Sequence, residues 1–271
     1  MAFRRIYLLP LIVFVAVPVS FFVSYAIAVH NNHVEPGFPY ISETGSFSPE
    51  SCIFGQVINF AAFLIVVCVY IKYLEIKNYI QTPTPGDGVS HRFNKVTLAF
   101  GLASCAGLDI VANFQQSNVI VVHMLGAFMC FAAGTTYFIL QVWISYKIPG
   151  LASKWMLRIR AFLVGLCVLT TISTIIPGIV AFFEYRGSIR QKWKPEDGGW
   201  ELHLASAISE WILCITYCAL MCSFVPDFYN LEIEAPIVKL KKSIFTKKSK
   251  IISSSNAGIP QRSERLTIGS G

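Results

Sequence analysis

Residues 101–115 read GLASCAGLDIVANFQ. The stretch is an apolar, small-residue helix that carries a carboxylate, Asp109, and an amide, Asn113, one turn apart. Gly101, Cys105, Asp109 and Asn113 recur every four residues, which predicts a narrow small-and-polar stripe on an otherwise greasy cylinder. Lipid offers no partner to a carboxylate or an amide, so this stripe is the side expected to meet other helices inside a membrane.

The rest of the chain supplies the partners. Its 271 residues are 54% hydrophobic and 14% charged, with a mean hydropathy of +0.58, whereas a soluble domain carries about 25% charged residues. Several segments run about 20 residues without a charge, the length that crosses ~30 Å of hydrocarbon. The expected fold is therefore all-α: a polytopic membrane protein with six transmembrane helices, at about 6–29, 53–73, 96–114, 119–146, 157–183 and 203–225. Residues 1–225 make the six-helix domain and 226–271 a basic, largely disordered cytoplasmic tail.

Arg4 and Arg5 precede the first apolar run, and Ala26-Ile27-Ala28 closes it like a signal-peptide cleavage site. The run is long for a signal peptide and is read as a retained span; cleavage would leave five. Lys and Arg set the orientation. Of the 22, eighteen lie in the N-terminus, residues 72–95, residues 147–160 and the tail, and four lie in residues 186–194. Both termini are thus expected on the cytoplasmic side.

Residues 30–52, HNNHVEPGFPYISETGSFSPESC, form a compact turn-rich loop with three acids and no Lys or Arg. Its His30 and His33 lack a third metal ligand and are read as solvated. The turn at 115–118 forces the third and fourth spans to lie antiparallel, with His123, Gly126, Cys130 and Gly134 marking the small and polar side of the fourth. Residues 184–202 form the second large loop, of mixed charge, with two tryptophans. Seven of eight cysteines lie in apolar segments, and no CxxC spacing or pair of loop cysteines suggests a zinc site or disulfide.

Placed by depth, the polar residues of the spans gather in the outer third. Asn59, Asp109, Asn113, His123, His203 and Glu210 are the candidate outer-side cluster, with Asp109, Asn113, His123 and Glu210 expected to share one hydrogen-bonded network. Two carboxylates and a histidine in low dielectric would sense an acidic lumen; the alternative is a cluster that only fixes helix packing. An ion pathway should continue across the full depth, and this one stops, which disfavours transport. No HExxH, GxSxG, Walker loop or Asp-rich Mg²⁺ motif points to an enzyme, and no catalytic residue, metal or cofactor is expected. No nucleic-acid motif accompanies the charge of +7. The expected partners are membrane lipids. Lys239, Lys241, Lys242, Lys247, Lys248 and Lys250 should be drawn to the anionic cytoplasmic leaflet at about 1 kcal/mol each, or serve only to hold the tail inside.

Four stretches together resemble the DRAM (damage-regulated autophagy modulator) family within the Frag/DRAM/Sfk group of six-span proteins. They are PYISETGSFSPESCIFG at 39–55, SCAGLDIVANFQ at 104–115, His123 with Gly126-Ala127, and WKPEDGGWELH with SEW at 193–211. The resemblance implies a non-enzymatic regulator of autophagy in lysosomal or endosomal membranes, in some members coupled to stress-induced apoptosis. It also implies unidentified protein partners in the autophagy or phosphoinositide machinery. A related branch comprises plasma-membrane adaptors of phosphatidylinositol 4-kinase, and a more distant one works in lipid remodelling. Thr44 and Gly45 stand where the adaptor branch commonly has a further loop cysteine, which leans the reading toward DRAM.

Overall fold

The computed structural model describes residues 2–82 and 88–234. β1 (Ala2–Phe3) pairs antiparallel with β2 (Ile233–Glu234). Residues 4–232 form the helical body: α1 (Leu8–His30), the short α2 (Ile41–Thr44), α3 (Glu50–Gln81), α4 (His91–Asn113), α5 (Ile120–Lys147), α6 (Lys154–Glu184), α7 (Trp200–Cys222) and the short α8 (Val225–Tyr229). Among the described residues six helices are long and apolar enough to cross a membrane. Two 3-10 turns, Arg190–Lys192 and Pro195–Asp197, lie between α6 and α7.

The long helices close a ring. Each packs on its chain neighbour, α3 on α1, α4 on α3, α5 on α4, α6 on α5 and α7 on α6, and α7 returns to α1. Helices run past the expected ends, because a peptide keeps its intrahelical hydrogen bond after the chain leaves hydrocarbon. Thus α3 continues to Gln81 rather than stopping near residue 73. The N-termini of α4 and α6 lie further out than expected, where Ser90 and Ser153 accept from the amides of Phe93 and Met156.

The α4–α5 pair is the tightest seam. A Cβ on Gly107 would sit 2.4 Å from the Cys130 nitrogen, and one on Gly126 would sit 2.5 Å from Ile110 Cγ2. Gly101 and Cys105 are buried as the stripe predicted, but Asp109 and Asn113 are exposed. Spacing explains the difference: four residues overshoot a 3.6-residue turn by about 40°, so three steps carry the stripe roughly 120° around the helix. Helices α1, α3, α4, α5 and α7 line an apolar cavity of about 100 Å³.

At one end of the ring, α8 follows α7 after the two residues Ser223 and Phe224, and Phe228 is fully buried. Residues 226–234, expected to begin the tail, therefore belong to the described structure. The lysines at 239–250 lie outside the described residues.

Candidate functional site

The two large loops meet over the start of α7. The first is held from several sides by polar contacts. Tyr25 donates to the Pro36 carbonyl at 2.8 Å, and Trp211 Nε1 donates to the Pro39 carbonyl at 2.9 Å. Ser42 donates to Gln116 at 2.6 Å and Ser117 to the Ser46 carbonyl at 3.3 Å, tying the loop to the α4–α5 turn. His33, expected to be solvated, instead hydrogen-bonds the fully buried Glu50 at the start of α3 and lies against Phe47.

At the centre of this loop is a pair of buried carboxyl groups. Glu210 reaches out of α7 and accepts the Ile41 amide at 2.8 Å, while Glu43 accepts the Tyr40 amide at 3.0 Å. Both amides are free donors at the start of α2, where a carboxyl group is favoured. Glu43 is 2% exposed, and burial pushes its carboxyl up to about 8 from an ordinary 4.5. The Tyr40 amide and Arg190 oppose the shift, and Glu210 adds to it. The Tyr40 hydroxyl is likewise pushed up by burial. At neutral pH Glu43 is thus mostly a neutral acid.

An aromatic wall stands beside the pair. His203 stacks on Trp193 at 4.3 Å and meets Tyr40 edge-on at 4.9 Å. Trp193 is fixed by its own indole N–H, which donates to the Gly198 carbonyl at 2.8 Å. Gly198 and Gly199 have φ of +81° and +64°, the left-handed turn that aims the chain from this loop into α7. A water-sized opening lies among Glu35, Glu43, Arg190, Trp193, Trp200 and His203.

The six residues expected to cluster fall into separate places. Asn59 and Asn113 exchange amide hydrogen bonds at 3.0 and 2.9 Å, and Asn113 also donates to the Asp109 carbonyl at 2.7 Å. His123 bonds the Phe114 carbonyl through Nδ1 at 2.7 Å and closes the α4–α5 turn. His203 and Glu210 belong to the loop site. The expected single network of Asp109, Asn113, His123 and Glu210 is not among the hydrogen bonds of the described residues: His123 bonds the Phe114 carbonyl, Glu210 accepts the Ile41 amide, and Asn113 pairs with Asn59 and Asp109.

Two groups escaped the sequence reading. Glu43 sits three residues after Tyr40, the spacing of a carboxyl that caps its own helix start, and that spacing was the available signal. The second is an ionic cluster at the α8 end of the ring. Asp227 Oδ2 lies 2.5 Å from Lys72 Nζ and 2.8 Å from an Arg160 nitrogen, and Lys72 also pairs with Glu75 at 2.7 Å. Among the described residues no three His, Cys, Asp or Glu side chains converge as a metal ion would require.

A family model described as the Frag1/DRAM/Sfk1/Cwh43P N-terminal domain matches residues 5–231. The chain belongs to this family. Among its relatives, DNA damage-regulated autophagy modulator protein 1 of Homo sapiens is 37% identical over 215 residues, covering 79% of this chain and 87% of that protein. DNA damage-regulated autophagy modulator protein 2 of Rattus norvegicus is 33% identical over 218 residues, covering 79% and 80%. The Modulator of macroautophagy TMEM150B of Danio rerio is 32% identical over 228 residues, covering 83% and 86%. No solved structure matches the chain. The stretches that carried the resemblance meet at the loop site: Pro39 with Trp211, Ile41 with Glu210, and Ser42 with Gln116, beside the 104–115 segment.

The site's pH dependence follows from Glu43. In the unfolded chain the carboxyl ionises near 4.5, but in the folded chain only near 8. Its contribution is greatest in acid, declines as pH rises between those values, and is lost above about 8. The thermal midpoint in lipid nanodiscs should therefore fall between pH 5 and pH 8, and Glu43→Gln should remove a part worth on the order of 2 kcal/mol. Equal pH slopes in the two proteins would refute the assignment.

Proposed function

We propose that this chain is a non-enzymatic membrane regulator of autophagy in lysosomes or endosomes, with both termini in the cytoplasm and the loop site facing the lumen. The observation that carries the reading is identity of 33–37% across most of the chain with proteins named as autophagy modulators. The Lys and Arg asymmetry supports the orientation. A loop built around a carboxyl group that is neutral up to about pH 8 suits an acidic lumen, since acid strengthens it. A link to stress-induced cell death belongs to the same proposal. So does contact of Lys239, Lys241, Lys242, Lys247, Lys248 and Lys250 with anionic cytoplasmic lipid.

The test is autophagic flux in cells lacking the gene, read as turnover of a lipidated autophagosome marker with and without lysosomal inhibition. The expected result is reduced flux, restored by the wild-type chain. Unchanged flux in both fed and starved cells would overturn the proposal. The restored chain should also colocalise with a lysosomal membrane marker, and residence at the plasma membrane alone would count against the lumenal reading.

A further inference from the structure

Asp109 is an exposed carboxylate on a helix that crosses the membrane. Its Oδ1 lies 3.4 Å from the Asn113 amide of the same helix. Among the described residues no Lys, Arg or His pairs with it. Its depth makes this costly. Lys95 is the last cation of α4, and about 20 residues cross the hydrocarbon, which puts the outer boundary at about residue 116. Asp109 then lies about 10 Å inside that boundary, at 1.5 Å per residue. Carboxylates at such a depth face other protein, because lipid gives them no partner.

The exposed residues of α4 include Lys95, Ala99, Leu102, Ala106, Asp109 and Asn113, separated by alternating steps of four and three. A step averaging 3.5 residues is the repeat along which two helices pack side by side. The outward face of α6 differs: Phe162, Leu169, Ile172, Ile176, Ile179 and Phe183 are each more than half exposed, bulky and apolar, as a surface against lipid should be. On α4 the two alanines let another backbone come close, and Asp109 and Asn113 supply hydrogen-bonding groups. The polar groups continue onto α3, where Gln56 is exposed one turn before Asn59, which pairs with Asn113.

We propose that this face of α4 is an interface between two copies of the chain. All copies enter the membrane in one orientation, so the twofold axis lies along the membrane normal and each residue of the seam meets its own counterpart. The face is complementary to itself under that operation. Side-chain amides carry donors and an acceptor, and two carboxyl groups pair when one proton lies between them, the neutral acid donating to the carboxylate. The alternating spacing runs the length of α4, and a second α4 supplies a helix of the same length and repeat.

Polymer-bounded native nanodiscs, which lift the full chain from the cell membrane with its orientation kept, test this by counting the bleaching steps of a fluorescent tag over a range of expression densities. The wild type should bleach in two steps. Asp109→Leu should weaken association about fivefold, the scale of one hydrogen bond. Asp109→Asn, able to donate and accept across the axis, should keep it. Ala106→Phe wedges the seam and should leave single steps, with an unchanged thermal midpoint because the position is exposed. Should that midpoint fall, Ala99→Phe wedges the seam one heptad further in. Oxidative cross-linking in the same membranes locates the contact: Ala106→Cys should give covalent dimers above the background of the chain's own cysteines, and Phe162→Cys on α6 should not. Single steps for the wild type at every density would overturn the proposal and leave Asp109 to a span of another protein that brings a cation. So would two-step discs that survive both alanine substitutions, loss of pairing in Asp109→Asn, or cross-links at Phe162→Cys equal to those at Ala106→Cys.

Discussion

Asp227→Ala is expected to destabilise the protein by about 3–5 kcal/mol, the cost of leaving a buried charge without its partner. Asp227 is the hinge of the ionic cluster, since a single oxygen, Oδ2, faces both Lys72 and Arg160. Lys72 is fully buried and Arg160 is 2% exposed, so neither cation reaches water when that oxygen is removed. Glu75 can neutralise only one of them. The Phe224 ring lies 5.2 Å from the Lys72 ammonium and 5.1 Å from the Arg160 guanidinium, a contact too weak to replace a carboxylate. Arg160 also donates to the Ser223 hydroxyl at 2.9 Å and its carbonyl at 2.5 Å, so it joins α6 to the end of α7. Loss of Asp227 should therefore loosen α8 from α3 and α6 together. The check is the thermal midpoint of the purified variant beside that of Arg4→Ala, whose pair with Glu232 is exposed and worth little. Similar midpoints for the two variants would show that the cluster does not anchor α8.

This cluster marks where the sequence stops being readable. Lys72 and Arg160 look like loop cations because each ends or begins a long apolar run. Their burial depends on Asp227, 155 residues from Lys72, on a short helix beyond the last span. Nothing local announces that contact. The six spans themselves are legible because charge-free length is a local property. The α4–α5 hairpin is equally legible, since residues 115–118 leave the chain no other course. The outer cluster was only half legible. Depth along a helix can be counted from its ends, and Asn59 and Asn113, counted to the same outer third, exchange hydrogen bonds. Azimuth depends on ring order, and α4 and α7 prove to be separated by the cavity. The resemblance flagged the 39–55 and 193–211 stretches without saying that they touch; the Ile41–Glu210 bond, spanning 169 residues, does so.

Gly107→Leu is expected to cost about 3 kcal/mol or more, because the new side chain would meet backbone rather than mobile side chains. A Cβ at this position would lie 2.4 Å from the Cys130 nitrogen, 2.6 Å from the Gly126 carbonyl oxygen and 2.9 Å from the Cys130 Cα. None of these atoms moves unless α5 itself moves. Relief therefore requires the two helices to part along the seam that Gly107 and Gly126 share. In a membrane such a seam is held by close packing more than by exclusion of water, so a small separation forfeits much of its strength. Parting α4 from α5 would also strain the Ser104 hydrogen bond to the Cys130 carbonyl, 2.9 Å long, and open one wall of the cavity. The comparison substitution is Gly165→Ala in α6, where a Cβ meets nothing within 4 Å. There the exchange should stabilise by up to about 1 kcal/mol through helix propensity alone. Thermal midpoints measured in one lipid composition separate the two sites, with Gly107→Leu well below wild type and Gly165→Ala at or above it. A Gly107→Leu protein that melts with the wild type would mean that α4 and α5 are not in backbone contact.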